Sequence, residues 1–260
     1  MTGNPRAACA VAKADFLDTV RRPGFLVAAC TLGVVVALLP RLGNPAAGIR
    51  DNAALAIELT LSTIALAGPL TGGFLGIRAV QRDHGAGLSD HLLTAPRPLA
   101  SFVGAGCIAA AAAATLLCAL ATAIGALGWI GRPLPALPGT LSAWAAVIAA
   151  APLGALVGAA LGTFYASLCS RDLAAVALVL HVAGMRLLEG AVQFRGSAGH
   201  WLTRLVPDPS RLDVAREFAF AGPIDGMSAA LAAATAALQV CALLVAVPVI
   251  LRRAQLQHNA

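Results

Sequence analysis

The sequence predicts an all-α protein that crosses a membrane several times, and three observations lead to this fold class. Of the 260 residues, 59% are hydrophobic and only 12% are charged. Soluble domains carry about 25% charged residues, so this chain lacks the polar residues to cover a globule of its size. Mean hydropathy is +0.82. Six separate stretches are apolar enough to cross the membrane as helices, which takes about 20 residues for roughly 30 Å of hydrocarbon.

The six stretches divide the chain into one transmembrane domain that covers residues 1–260. Helices are predicted at 24–39, 53–77, 99–130, 141–169, 173–185 and 227–251. The first ends at Pro40, and the fifth is short. The segment before the first helix is too long and too acidic for the n-region of a signal peptide, so we expect that helix to be retained.

The distribution of basic residues predicts the orientation. With the N-terminus in the cytoplasm, ten Lys and Arg residues lie on the cytoplasmic side, whereas the short outer loops contain three, namely Arg41, Arg50 and Arg132. Cytoplasmic loops carry the excess of Lys and Arg in membrane proteins. The long outer segment 186–226 contains five Arg and five acidic residues and is neutral overall. Both termini are therefore predicted to be cytoplasmic.

Two predicted helices carry glycines at four-residue spacing. The stripes are Gly68, Gly72 and Gly76 in the second helix, and Gly154, Gly158 and Gly162 in the fourth. Small residues let helix backbones approach closely in lipid. The stripes predict packing within the chain, or alternatively a contact between subunits or at a gate. Pro69 and Pro152 favour kinks in the same helices.

Motifs for catalysis and cofactor binding are missing from the sequence. Lys13 is the one lysine and follows no glycine-rich loop, so the chain has no phosphate-binding loop of its own. We find no H-E-x-x-H or G-x-S-x-G motif. The six cysteines form no C-x-x-C pair, which argues against a metal site. The arginines are scattered without interleaved aromatic residues, which argues against nucleic-acid binding. We expect no catalytic residue and no cofactor.

Two polar residues lie within predicted membrane helices, where ionisable groups are functional candidates. Glu58 lies about five residues from the outer end of the second helix. It could act at membrane depth, or it could reach the interface or pair with Arg50. His181 lies near the middle of the fifth helix. It could hydrogen-bond a neighbouring helix or take part in a proton relay.

The cytoplasmic segment 78–98 is the most informative part of the sequence. Leu88, Leu92 and Leu93 have helical spacing, glycines precede them and prolines follow. This pattern indicates a short amphipathic helix, either parallel to the membrane or docked on a soluble partner. A simple connecting loop is the alternative.

The same segment resembles the signature of ABC-2 permeases, the membrane subunits of type-2 ATP-binding-cassette transporters. That signature runs from an acidic residue through Gly-Thr-Leu and two leucines to a proline and a basic residue. The matching residues here are Asp83, Gly87, Leu88, Leu92, Leu93, Thr94, Pro96 and Arg97. Six helices, cytoplasmic termini and a long outer segment after the fifth helix are also similar to that family. The sequence departs from the signature in having Asp where Glu is usual, and Gly104-Ala105-Gly106 where a Lys is frequent.

The resemblance implies a permease subunit, in most cases of an exporter, that moves substrate by alternating access. A separate ATPase subunit would hydrolyse ATP and bind segment 78–98 as its coupling helix. A second permease chain, identical or related, would complete the pathway. Seventeen Arg against one Lys, with abundant Ala, are typical of a GC-rich bacterial genome, so we expect a multi-pass protein of a bacterial plasma membrane. The alternatives are an ion-coupled secondary transporter that uses Glu58 and His181, and a membrane-embedded enzyme or scaffold.

Overall fold

The computed structural model describes residues 5–42, 49–85, 99–127, 140–192, 207 and 226–258, and their fold is helical. Within these ranges there are seven α-helices and no strand. They are α1 (Pro5–Val20), α2 (Pro23–Leu42), α3 (Ile49–Gly85), α4 (Leu99–Leu127), α5 (Thr140–Leu168), α6 (Arg171–Val192) and α7 (Gly226–His258). The predicted all-α fold class is therefore confirmed for the described residues.

Four helices contain stretches that are long and apolar enough to cross a membrane. They are Ser62–Arg82 in α3, Ala100–Leu127 in α4, Ala150–Leu168 in α5 and Ala233–Leu251 in α7. The pair α1 and α2 adds a fifth if it is one broken span. Four or five such helices among the described residues support a multi-pass membrane protein. The sixth span stays a prediction.

The break between α1 and α2 lies at two consecutive arginines. The last backbone bonds of α1 are made by Arg21 and Arg22, whose N–H groups donate to Leu17 and Thr19 at 3.0 and 3.3 Å. Pro23 then begins α2, since proline needs no N–H partner in the first turn of a helix. The two helices meet at 67°. The sequence analysis assigned no helix to the segment that forms α1.

Helix α3 is longer than its predicted range of 53–77. Its 37 residues measure about 55 Å at 1.5 Å per residue, well beyond the roughly 30 Å of a hydrocarbon core. It passes through Pro69 without ending. The first eight residues of segment 78–98 are the last two turns of this helix, because Arg78 to Gly85 continue its hydrogen-bonded pattern.

The centre of the structure is formed by α3, α4 and α5, and the most extensive contact joins α3 to α5. The two backbones are so close that a Cβ atom placed on a glycine of one helix would overlap the backbone of the other. At Gly158 a Cβ would overlap the carbonyl oxygen of Pro69, and at Gly162 that of Gly73. At Gly72 it would overlap the carbonyl oxygen of Ala155. The glycine stripes therefore face each other within one chain, which confirms the interpretation as intramolecular packing.

The remaining helices pack around this centre. Helices α1 and α2 lie mainly against α4, whereas α6 and α7 lie against α5. Buried Leu161, Leu178 and Val240 join α5, α6 and α7 in the largest apolar cluster. Large apolar side chains are exposed on the outside of α2, α6 and α7, such as Val27 and Leu238. Apolar surface of this extent is typical of a protein surrounded by lipid rather than water.

Candidate functional site

Most residues of the predicted coupling segment lie outside the described residues. These are Gly87, Leu88, Leu92, Leu93, Pro96 and Arg97. Asp83 belongs to the last turn of α3, and Glu58 to its third turn, but neither side chain is among those described. The structure therefore describes the first eight residues of the segment, 78–85, as the end of α3. The docking face of the segment stays a prediction.

Charged side chains of α1 meet those of the last two turns of α3, which are the first eight residues of segment 78–98. Arg82 Nη2 of α3 lies 2.8 Å from Asp15 Oδ1 of α1, and Arg82 Nη1 lies 3.9 Å from Asp18 Oδ2. Arg22 Nη2, in the turn after α1, lies 2.6 Å from the same Asp18 oxygen. We call Asp15, Asp18, Arg22, Arg78 and Arg82 the α1–α3 charge cluster. Its ion pairs attach α1 to the C-terminal end of α3.

Helical spacing explains why these side chains converge. Asp15 and Asp18 are three residues apart and therefore share one face of α1, and Arg78 and Arg82, four apart, share one face of α3. Each helix presents charges of one sign to the other. Both spacings are visible in the sequence. They did not predict the contact between the two helices, because no helix was predicted for the segment that contains the two aspartates.

A cleft opens beside the charge cluster between α1, α3 and α4. Its polar lining residues are Asp15, Asp18, Thr19, Arg78 and Arg82, and its apolar lining residues are Leu75, Ala79, Gly106, Ala109 and Ala110. Leu75 and Arg78 are three residues apart, so an apolar and a cationic side chain lie on the same face of α3, one turn from each other. The cleft thus joins an apolar surface to a charged one.

His181 has hydrogen-bond partners at both ring nitrogens. Its Nε2 lies 2.6 Å from the carbonyl oxygen of Pro207, and its Nδ1 lies 2.7 Å from the Tyr165 hydroxyl. A carbonyl oxygen only accepts hydrogen bonds, so Nε2 carries the ring proton and donates a hydrogen bond to the Pro207 carbonyl oxygen. In the neutral ring Nδ1 then accepts from Tyr165 of α5. This arrangement holds α5, α6 and Pro207 together, and it accounts for a polar residue in α6 without proton transfer.

Cys107 and Thr163 form a buried polar contact between two helices. Cys107 Sγ of α4 lies 3.2 Å from Thr163 Oγ1 of α5, and Thr163 also donates to the Ala159 carbonyl at 2.8 Å. Both side chains are almost fully buried among small apolar residues. The contact is therefore part of the packing of α4 on α5. In the described ranges, no three His, Cys, Asp or Glu side chains are grouped as a metal site requires.

The comparisons with known proteins give no assignment. No protein-family model matches the chain, and no curated protein matches it either. The functional interpretation therefore depends on the sequence signature and on the geometry at the C-terminal end of α3.

Proposed function

We propose that this chain is the permease subunit of an ATP-binding-cassette transporter of the ABC-2 type, working with a separate ATPase and a second permease chain. The proposal includes six transmembrane helices with cytoplasmic termini, a bacterial plasma membrane and transport by alternating access, most simply export. The chain itself supplies no ATP hydrolysis in this scheme, since it lacks the lysine of a phosphate-binding loop.

The observation that carries the proposal is the continuity of α3. One helix contains the glycine stripe that packs on α5 and also the residues that lead into the coupling segment. Gly76 lies nine residues, about 14 Å, before the end of α3 at Gly85. A force applied by an ATPase to the segment after Gly85 would therefore act on the packed centre of the membrane domain through a helix rather than a flexible loop.

The ion pairs of the charge cluster support the same scheme. Arg82 lies three residues before the end of α3 and is paired with Asp15 of α1. A displacement of the end of α3 would therefore also move α1, and through the turn at Arg22 it would reach α2. The coupling segment is in this way connected to three helices of the membrane domain.

The decisive experiment changes the two adjacent leucines of the segment. Burying a leucine in a contact is worth about 1.5–3 kcal/mol. Replacing Leu92 and Leu93 together by Ser should weaken binding of the ATPase at least tenfold, because about 1.4 kcal/mol corresponds to one decade in affinity. The measurement is copurification of the tagged permease with the ATPase encoded beside it, at several salt concentrations.

The matched control replaces the same two leucines by Met, which keeps the apolar area and should retain the ATPase. Elution of both variants from size exclusion at the wild-type volume shows that the membrane domain has folded. If the Ser variant retains its ATPase as firmly as the Met variant does, segment 78–98 is a connecting loop. Transport driven by an ion gradient without any ATPase would favour the secondary-transporter alternative.

A further inference from the structure

Arg78 differs from the other arginines of the charge cluster. Arg22 and Arg82 each pair with an aspartate of α1, at 2.6 and 2.8 Å. In the part of the chain that the structure describes, no carboxylate lies within 4.0 Å of Arg78. Its guanidinium lines the cleft between α1, α3 and α4 instead.

The charge cluster contains three arginines and two aspartates, and both aspartates, which line the cleft, are paired with Arg22 and Arg82. The one positive charge in excess is therefore that of Arg78, and it favours an anion. Arg22, Arg82 and Arg171 are close enough to repel its positive charge, and Asp18 is the carboxylate that attracts it. That carboxylate is already held by Arg22. An anion in the cleft would relieve the repulsion among the guanidinium groups. Guanidinium binds phosphate through two parallel hydrogen bonds, which makes phosphate a particularly suitable anion.

The residues that line the cleft indicate which kind of molecule carries the phosphate. Leu75, Ala109 and Ala110 give it an apolar side. Arg78 is the first charged residue after the uncharged stretch 59–77. In a membrane helix this position, where the apolar stretch ends, lies at the boundary between hydrocarbon and water. A phospholipid has its phosphate at this depth, with acyl chains beside apolar side chains, and basic pockets between helices on the cytoplasmic side are typical sites for anionic headgroups.

The side of the cleft formed by α4 is open at Gly106. A Cβ added at Gly106 would meet one atom within 4 Å, the Cβ of Ala79 at 4.0 Å. The glycine therefore leaves open space at this point in the wall formed by α4. A larger side chain at residue 106 would occupy the space without changing any charge.

We propose that the cleft between α1, α3 and α4 binds a phosphate group through Arg78, and that the phosphate belongs to the headgroup of an anionic phospholipid. The site is independent of the proposed transport function. A bound lipid would contact α1, α3 and α4 together and would stabilise the contact between α1 and α3.

The test titrates dioleoylphosphatidylglycerol into the delipidated full-length protein in detergent and counts bound lipid by native mass spectrometry. Arg78→Gln should weaken the tightest lipid binding at least tenfold. Gly106→Leu should weaken it similarly, because it fills the cleft while it keeps every charge. The matched controls are Arg6→Gln, which removes one charge elsewhere on α1, and Gly104→Leu, which adds the same side chain to α4 where a Cβ meets nothing within 4 Å. Both controls should bind lipid as the wild type does.

Further ligands identify the source of the phosphate. Inorganic phosphate that competes at millimolar concentration, with the same dependence on Arg78 and Gly106, would keep the phosphate site but assign it to a soluble ligand. Dioleoylphosphatidylcholine should bind more weakly than phosphatidylglycerol. Equal lipid binding by all four variants, or no binding by the wild type, overturns the proposal. If the Arg78→Gln variant does not fold, lipid binding by the Gly106→Leu variant alone tests the proposal.

Discussion

Gly158 lies at one of the closest approaches between α3 and α5 among the described residues. Its Cα lies against the backbone of Pro69, so that the smallest possible side chain would overlap the Pro69 carbonyl oxygen. Pro69 has no N–H and cannot donate to the carbonyl one turn before it in α3, which makes that helix locally easier to deform. The close packing of α5 against this point compensates, because contacts from a second helix hold α3 straight enough to continue to Gly85.

Gly158→Ala should therefore destabilise the protein by about 1–3 kcal/mol, the usual cost of overpacking. Gly104→Ala is the matched control, because a Cβ there meets nothing within 4 Å, and it should be neutral or gain up to about 1 kcal/mol from helix propensity. Buried Cys107 and Cys118 provide the measurement. With Cys9, Cys30, Cys169 and Cys241 replaced by Ser, a thiol-reactive dye follows thermal unfolding. Equal melting of both variants would contradict the close contact.

The glycine contact could be predicted from the sequence, but the charge cluster could not. Four-residue spacing of small residues is a local pattern, so both stripes were recognised, although the sequence did not tell which surface each one meets. The pair Arg82–Asp15 joins residues 67 positions apart. No local pattern encodes such a pairing, since it depends on the angle at which α1 leaves α2 and on the distance that α3 extends beyond the membrane.

Helices α1 and α3 are linked by charge more than by apolar packing. Asp15 keeps 19% of its side chain exposed and Arg82 keeps 39%. Exposed ion pairs of this kind are worth about 0.2–1 kcal/mol each, because solvent screens them. The contact is therefore weak enough to open and close without unfolding either helix. Such a contact suits a part of the protein that moves in the proposed transport cycle.

A double-mutant cycle measures this link. Asp15→Asn and Arg82→Gln should each destabilise the protein slightly, and the double variant should lose less than the sum, with a coupling of about 0.2–1 kcal/mol. Raising the salt concentration should reduce the coupling. The cysteine dye assay gives the stabilities. The reversed pair, Asp15→Arg with Arg82→Asp, should restore part of the loss, whereas zero coupling at low salt would show that the contact contributes nothing.

The sequence placed the apolar parts of the helices well and their polar ends poorly. The predicted range 141–169 differs from α5 by one residue at each end, since both ends of that helix coincide with a change in hydropathy. The end of α3 does not coincide with a change in hydropathy. Its last two turns contain Arg78, Gln81 and Arg82, which are good helix formers that hydropathy counts as loop. A helix that continues into water is therefore shortened by any prediction based on hydrophobicity.

The orientation of the whole chain can be tested by labelling single cysteines in a background without the natural ones. Positions 13, 90 and 256 should react with a membrane-impermeant reagent only after the cytoplasmic side is opened. Positions 45, 135 and 205 should react from outside in intact cells. The reason is the excess of Lys and Arg on one side, ten against three. Reaction of position 90 from outside would reverse the orientation and exclude an ATPase contact at segment 78–98.

The hydrogen bond from His181 to Pro207 has a consequence for the order of biosynthesis. Only thirteen residues separate Asp172 from Arg186 in α6, about 20 Å of uninterrupted apolar helix. The acceptor for the imidazole is 26 residues further along the chain. While the ribosome is still making those residues, the nascent helix is short, and its imidazole N–H has no such acceptor. In the proposed six-helix topology, we therefore expect α6 to be incompletely inserted in the membrane until Pro207 has been synthesised.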